Sequence, residues 1–461
     1  MPKRPNIIWI FGDQHRAHAL GCMGDPNVFT PNIDRLAVEG VSCHGISGFP
    51  LCCPYRASLL TGRYPHHVVP GHERQMPPDM PTIATPFNAA GYHTAYIGKW
   101  HVDGFHERDG RAAFHIIPPE RRGGFQRWVG YENNNSQFDC WVHGDADFLQ
   151  HQPGADRGKR IDDRTLHYRL PGYETDALTD LLISHIEDRA RTPDQPFFAA
   201  LSVQPPHDPF MAPETYMQRH NPGTIQLRAN VPPVGWITER ARRNLSGYYA
   251  MVENLDHNIG RIRAALDRLN LTDDTLIIFF SDHGELAGSH GQFAKMSPYE
   301  ESIRVPFIMA GGSPFYGKRR SFSASDGQSR TLINHVDITA TTLGLAGIDK
   351  PSYMAGTDYS GLYLTTRPAP TIADSAFLQS VIPTGHGNSV DRPWRGVITT
   401  DGWKYACLEG QPFMLFNLND DPYELANHAF NTAFKTQRKR LHDRLAQWIT
   451  DTGDTFTLPA L

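Results

Sequence analysis

Cysteine is scarce in this sequence, long apolar runs are missing, and no charge of one sign dominates. The six cysteines among 461 residues (Cys22, Cys43, Cys52, Cys53, Cys140 and Cys407) fall at irregular spacings. They suggest no disulfide framework, and no Cys/His spacing fits a zinc finger. The first apolar run, Ile7–Phe11, is about five residues long; a secretory h-region needs about 7–15 and a membrane span about 20. A cytoplasmic protein without a membrane partner is therefore expected. A net charge of −5 offers no basic surface for nucleic acid. A small anionic substrate stays open, because local cations can bind one. Internal repeats and low-complexity tracts are also absent.

Glycine and proline are plentiful, at 40 and 36 residues, beside 39% hydrophobic and 20% charged residues. This mixture excludes collagen, coiled coil and wholesale disorder, and suggests a loop-rich globular enzyme. The length corresponds to two to three domains at about 150 residues each. The 23 histidines are the unusual count, and they suit metal or proton chemistry.

Residues 5–11 read as a buried strand ending in Gly12-Asp13. Thr30-Pro31 opens a helix at Asn32–Glu39, and Pro54–Leu60 reads as another. Thr94–Ile97 and Phe197–Val203 are strand candidates. Residues 104–170, without clear periodicity, read as an insertion of loops over one face of the core. The clearest helix spans 239–269, where Leu245, Tyr248, Val252, Leu255, Ile259, Ile262, Leu266 and Leu269 recur at three- and four-residue steps. Thr275–Ser281 and Val305–Ala310 read as strands, 311–330 as a loop and Val336–Leu345 as a helix. Three short runs (395–400, 403–408 and 413–418) then suggest antiparallel strands, with a helix near 432–450.

Strands alternating with helices up to about 350 predict an α/β fold with a large, mostly parallel or mixed sheet flanked by helices. The expected division is a catalytic domain over 1–365 and an α+β subdomain over 366–461 with an antiparallel sheet. In such sheets, polar residues past the carboxyl ends of strands meet in one crevice. Asp13-Gln14 and Asp282-His283 both sit there, although about 270 residues apart. The segment Leu51-Cys52-Cys53-Pro54-Tyr55-Arg56 leads into a helix. A helix N-terminus supplies free N–H groups and a positive dipole end, which lowers a thiol pKa and suits an anionic ester. Arg56 adds a fixed cation. On composition alone, a buried structural cysteine pair beside a surface arginine is the commoner explanation.

Cys52-x-Pro54-x-Arg56 followed by Ala57-Ser-Leu-Leu-Thr-Gly62 resembles the modification motif of the sulfatase family, in the alkaline phosphatase-like superfamily. Tyr55 stands where Ser is commoner. Further similarity runs in order along the chain: Asn6–Gln14, Thr30–Ala37, Gly98-Lys-Trp-His101, Pro205-Pro-His-Asp-Pro209, Tyr248–Gly260, Ser281–Glu285, Lys295 with Tyr299-Glu300, and Leu415–Leu425. The resemblance implies that Cys52 is converted to formylglycine by a formylglycine-generating enzyme, and that its hydrate is the nucleophile. It implies one divalent cation, with calcium first and manganese or magnesium as alternatives, held by Asp13, Gln14, Asp282, His283 and the group derived from Cys52. Many relatives carry a second Asp where this chain has Gln14, which lowers the ligand charge by one.

By the same resemblance, Arg56, Lys99, His101, His207 and Lys295 complete the catalytic set. Lys99 and Lys295 would balance ester charge, His101 would act as a base beside the formylglycine, and His207 would donate a proton to the leaving oxygen. The expected activity is sulfate ester hydrolysis on a small anionic substrate, in a chain that can form a homo-oligomer. The alternatives are a phosphonate monoester or phosphodiester hydrolase on the same scaffold and, from another class, a non-catalytic anion- or metal-binding protein. Asn133–Asn135, His143, His72 and Arg395 lie where relatives often build substrate pockets, but read better as plain loop chemistry. His15 and His18 follow the metal segment without a clear role, and Asp420-Asp421 reads as a turn.

Overall fold

The computed structural model describes residues 4–152, 156–160, 166–312, 328–385, 387 and 389–461. Twelve strands form one mixed sheet: β1 (Asn6–Gly12), β2 (Val41–Ile46), β3 (His93–Lys99), β4 (Arg127–Tyr131), β5 (Trp141–Gly144), β6 (Asp156–Arg160), β7 (Leu166–Arg169), β8 (Phe197–Val203), β9 (Thr275–Ser281), β10 (Arg304–Val305), β11 (Phe307–Gly311) and β12 (Gln328–Asn334). The order is β10-β2-β11-β9-β1-β8-β3-β4-β5-β7-β6, with β12 also on β2. The central strands β9, β1, β8, β3 and β4 run parallel.

The apolar run of β1 follows from burial on both faces. Ile7, Trp9 and Phe11 join one core, and Ile8 and Ile10 the other. Trp9 packs edge-on against Phe198 and Phe280, with ring centroids 5.0 and 5.5 Å away. Its indole N–H donates to Thr342 Oγ1 at 2.9 Å. The helices Cys52–Thr61 and His335–Leu345 contribute to the Trp9 face. The long helix Gly235–Arg268 covers the opposite face through Tyr248, Val252, Leu255, Ile259 and Ile262. Those positions carry the expected periodicity, and the helix begins four residues earlier than the sequence predicts.

A second sheet of four antiparallel strands follows: β13 (Ser375–Ser380), β14 (Trp394–Thr399), β15 (Trp403–Leu408) and β16 (Gln411–Asn417). The helix Lys435–Thr452 lays Leu441 and Leu445 onto Phe377, Val397 and Tyr405 of this sheet. Tyr64 and Val336 of the larger unit enter the same cluster.

The sequence expectation fails over 104–170. That stretch is not only loops: it supplies β4 to β7, which widen the sheet from β3 outward. These strands are four or five residues long, too short to show a period. β13 and the helix Glu174–Ala190 are also additions to the expectation. Of the expected loop 311–330, residues 328–330 belong to β12, and 313–327 lie outside the described residues. Among the described residues, no helix is long and apolar enough to cross a membrane.

Candidate active site

The parallel strands β1, β9, β3 and β8 end at one edge of the sheet. Gly12 is level with both Ser281 and Val203, and Gly98 with Ser202. The residues just beyond, Asp13-Gln14, Asp282-His283, Lys99–His101 and the segment to His207, therefore share one crevice. Close approach of β3 and β8 requires Gly98. Its φ is +110°, and a Cβ there would sit 1.9 Å from the Ser202 carbonyl oxygen. Gln14 and His101 leave their strands with φ of 71° and 56°, a left-handed turn that non-glycine residues rarely adopt outside functional sites.

Cys52 is the first residue of the helix Cys52–Thr61, which begins two residues earlier than the sequence predicts. The preceding Leu51 is extended and makes no side-chain cap, so the first amides of the helix keep their positive end toward the crevice. All ten residues of this helix are buried. Cys52 Sγ lies 3.1 Å from His283 Nε2 and 3.5 Å from Asp13 Oδ1. Burial, reinforced by Asp13, pushes the thiol up to about 12.

Arg56 lies one turn on and ties the site together. Its Nε donates to Asp282 Oδ2 at 3.1 Å, and Nη2 to Asp13 Oδ2 at 3.3 Å. Its Nη1 donates to the Lys99 carbonyl at 3.1 Å and to Ser202 Oγ at 2.7 Å. The guanidinium is buried, so it is an internal strut and not the surface group that composition favours. Lys99 Nζ pairs with Asp13 Oδ2 at 2.7 Å. Burial alone would lift the Asp13 carboxyl, but Lys99, His207, Arg56 and His283 hold it well below the usual range.

Asp13, Cys52, Asp282 and His283 each offer one ligand atom within 4.8 Å of the others. Asp282 Oδ1 accepts from the Gln14 and His283 amides, at 3.0 and 2.8 Å. His283 Nδ1 donates to the Gly284 carbonyl at 3.0 Å, which leaves Nε2 as a lone pair 3.3 Å from Asp13 Oδ1. Two carboxylates and a neutral imidazole so arranged fit a divalent cation. Gln14 faces differently from the expected ligand. Its Oε1 accepts from Lys295 Nζ at 2.7 Å, and its Nε2 donates to Glu285 Oε2 at 2.6 Å.

Lys295 Nζ also donates to His207 Nε2 at 2.9 Å. His207 Nδ1 donates to the Asp208 carbonyl at 2.7 Å. Burial and the neighbouring Lys295 push His207 down to about 4. His101 is buried, with no partner on either ring nitrogen, and packs edge-on against His72 at 5.7 Å between centroids. Burial, then Lys99, lowers its pKa and keeps it neutral. Arg56, Lys99 and Lys295 thus stand against Asp13 and Asp282, an excess of positive charge suited to an anionic ester.

Several supporting residues escape sequence reasoning. Ser202, the polar residue in the apolar run of β8, takes an Arg56 bond, and Glu285, two past His283, holds Gln14. Asn134 N donates to Gln204 Oε1, and Gln204 Nε2 to Asn135 Oδ1, so the Asn run braces the 204–207 segment. Other candidates stay structural. His143 accepts from the Ile117 amide, Arg395 pairs with Asp454, and Asp421 accepts from the Ala426 amide in a turn. His15 packs against Phe279 and Tyr248, and His18 lines a separate cavity with His44 and Arg304.

The sulfatase family profile matches residues 5–348, and the C-terminal profile of N-sulphoglucosamine sulphohydrolase matches 288–451. An ulvan-active sulfatase of Formosa agariphila is 33% identical over 474 residues, covering 99% of this chain and 83% of that protein. The crystal structure of yidJ from Bacteroides fragilis superposes with a TM-score of 0.83 at 26% identity, covering 99% of this chain and 97% of that one. A phosphonate monoester hydrolase of Agrobacterium radiobacter shares the fold, with a TM-score of 0.72 at 22% identity over 97% of this chain and 96% of its own. The crevice at the sheet edge therefore has a family to which it answers: this chain belongs to the sulfatases and hydrolyses sulfate esters to an alcohol and inorganic sulfate.

Proposed function

We propose that this sulfatase works through Cys52 matured to formylglycine, with Arg56, Lys99, His101, His207 and Lys295 as its catalytic set. The observation that carries the proposal is the position of Cys52 Sγ, within 3.5 Å of Asp13 and His283 at the start of a buried helix. Maturation by a formylglycine-generating enzyme would supply an aldehyde hydrate whose hydroxyl attacks the ester. Asp13, Asp282, His283 and the Cys52-derived group would hold a divalent cation that supplies Lewis-acid charge at the ester oxygens. Calcium comes first because carboxylate oxygens dominate the donor set, and the His283 nitrogen makes manganese the alternative, ahead of magnesium. Gln14 contributes as the anchor of Lys295.

Arg56 holds Asp13 and Asp282 in register with the helix that carries Cys52. Lys99 and Lys295 offset negative charge on the ester in a site that excludes water. The leaving oxygen is protonated by the Lys295–His207 pair, because His207 Nε2 accepts from Lys295 and carries no proton of its own. His101, neutral and unpartnered, takes a proton from the second hydroxyl at the nucleophilic carbon. A second activity, on phosphonate monoesters or phosphodiesters, is favoured by Gln14. An amide in place of a second acid leaves a more positive site, which suits the greater negative charge of a transferring phosphoryl group.

No disulfide joins any of the six cysteines, which supports a reducing, cytoplasmic location and a small imported ester as substrate. We divide the chain into a catalytic unit over 1–365 and a C-terminal subdomain over 366–461, and we allow for a homo-oligomer. Peptide mass spectrometry on protein from its native host tests the nucleophile. Exchange of one sulfur and two hydrogens for one oxygen lowers the Cys52 peptide by about 18 Da. An unmodified Cys52 in protein that still turns over an aryl sulfate would overturn the proposal. Side-by-side kinetics on an aryl sulfate and a phenyl phosphonate ester decide the second activity.

A further inference from the structure

Beside the proposed nucleophile lies a second group of ligand atoms, of which the mechanism uses only His101. Cys53, His72 and His101 each offer one ligand atom within 4.8 Å of the others. Cys53 points away from Cys52 toward the 72–73 segment. Its Sγ is 3.7 Å from His72 Nδ1 and accepts from the Glu73 amide at 3.3 Å. The sulfur–nitrogen edge of a tetrahedral zinc site, with Zn–S about 2.3 Å and Zn–N about 2.0–2.1 Å, is about 3.6 Å. The outer contacts also suit a metal. His72 Nε2 faces Glu73 Oε1 at 3.5 Å, the carboxylate–histidine arrangement that turns Nδ1 toward the Cys53 sulfur. Glu73 Oε2 is in turn held by His106 Nε2 at 2.5 Å. His101 supplies the independent sign: a fully buried imidazole aimed into this group with both nitrogens unpartnered.

We propose that Cys53, His72 and His101 form a second metal site, selective for a soft divalent ion such as Zn2+, and that its occupancy inhibits the enzyme. One thiolate and two imidazoles select zinc over calcium, which prefers oxygen donors, so the two sites take different ions. Binding forms a Zn–S bond and releases the Cys53 thiol proton to solvent, with no change of oxidation state. A fourth position remains for water. With His101 committed to the metal, the proton acceptor beside the nucleophilic carbon is lost. That inhibition rests on the proposed role of His101, whereas binding does not.

The test uses full-length, natively matured enzyme loaded with Ca2+. Zn2+ binding is measured by calorimetry, and Co2+ by the thiolate-to-metal charge-transfer band in the near ultraviolet. Cys52, once matured, carries no sulfur and does not contribute to that band. The expected result is one Zn2+ beyond the calcium site, a Co2+–thiolate band, and inhibition reversed by a zinc chelator. Cys53→Ser and His72→Ala should each weaken Zn2+ at least about 100-fold, and Cys53→Ser should abolish the band while keeping basal turnover. Equal melting temperatures in both variants exclude misfolding as the cause. Zn2+ binding unchanged in both variants, or no thiolate band in the parent enzyme, overturns the site. Zn2+ bound through Cys53 with turnover unaffected upholds the site and overturns both the inhibition and the role of His101 as base.

Discussion

Replacing Arg56 by Lys should separate charge from geometry at the centre of this site. The guanidinium donates in four directions, to Asp13, Asp282, the Lys99 carbonyl and Ser202. A lysine ammonium keeps the charge but donates from a single point. From that point it can serve the two carboxylates but not the Lys99 carbonyl and Ser202 as well. Two hydrogen bonds from a charged donor, at about 1.5 kcal/mol or more each, are then lost in a site that water cannot refill, about 3–4 kcal/mol of stability in all. Because Arg56 is four residues from Cys52 on the same helix, the proposed nucleophile should shift against Asp13. A displacement of about 1 Å is enough to lower kcat/KM about 100-fold. Arg56→Met, which leaves two buried carboxylates short of a cation, should cost about 3–5 kcal/mol. Guanidinium midpoints followed by tryptophan fluorescence in a chelating buffer, with kcat/KM on an aryl sulfate, check both effects. If Arg56→Lys unfolds within about 1 kcal/mol of the parent and keeps half its activity, the strut role is wrong.

Gln14→Glu should place a second carboxylate against Glu285, which burial already pushes up to about 7. It should destabilise the protein by about 2–4 kcal/mol, and adding Glu285→Gln should recover most of the loss; simple additivity in denaturant melts would refute the contact. His335 is buried, accepts from the Gly48 amide through Nδ1 and is pushed down to about 3 by burial. A depressed histidine contributes stability above its unfolded pKa of about 6.5 and loses it as pH falls toward the folded value. The unfolding free-energy difference between parent and His335→Gln should therefore shrink by about 2 kcal/mol from about pH 7 to about pH 5, and a difference that stays constant would show that His335 is not held neutral.

The positions of Asp13-Gln14 and Asp282-His283 were legible in the sequence because each pair follows a strand with an apolar run. Ile7–Phe11 and Leu276–Phe280 are buried on both faces, so their periodicity disappears and their ends stand out. Being neighbours in register, they carry Asp13 and Asp282 to the same place. Arg127-Trp-Val-Gly-Tyr131 gives no such signal: it is short, begins with a charge and contains glycine, and its pairing with β3 and β5 makes it a strand. The helix Glu174–Ala190 hides for another reason. Thr175, Thr179 and His185 are buried among its leucines, so the apolar stripe is broken by polar groups that only tertiary contacts explain. The outer supports, Ser202, Glu285 and Gln204, act through hydrogen bonds spanning up to 271 residues, which no local pattern reports.

Burial of the whole Cys52–Thr61 helix has a kinetic meaning. Cys52 is 1% exposed, and Pro54 and Arg56, the other landmarks of its motif, are buried with it. A maturation enzyme cannot dock on a side chain in that position without unfolding the centre of the sheet. The proposed conversion of Cys52 would therefore belong to the interval before β9 completes the crevice some 220 residues later in the chain. Synthesis and folding would then run against that proposed maturation, and a chain that folds first would keep its thiol. The fraction of active enzyme in any preparation would be set by the order of these events, and slower synthesis or delayed folding would raise it without changing a single contact in the finished protein.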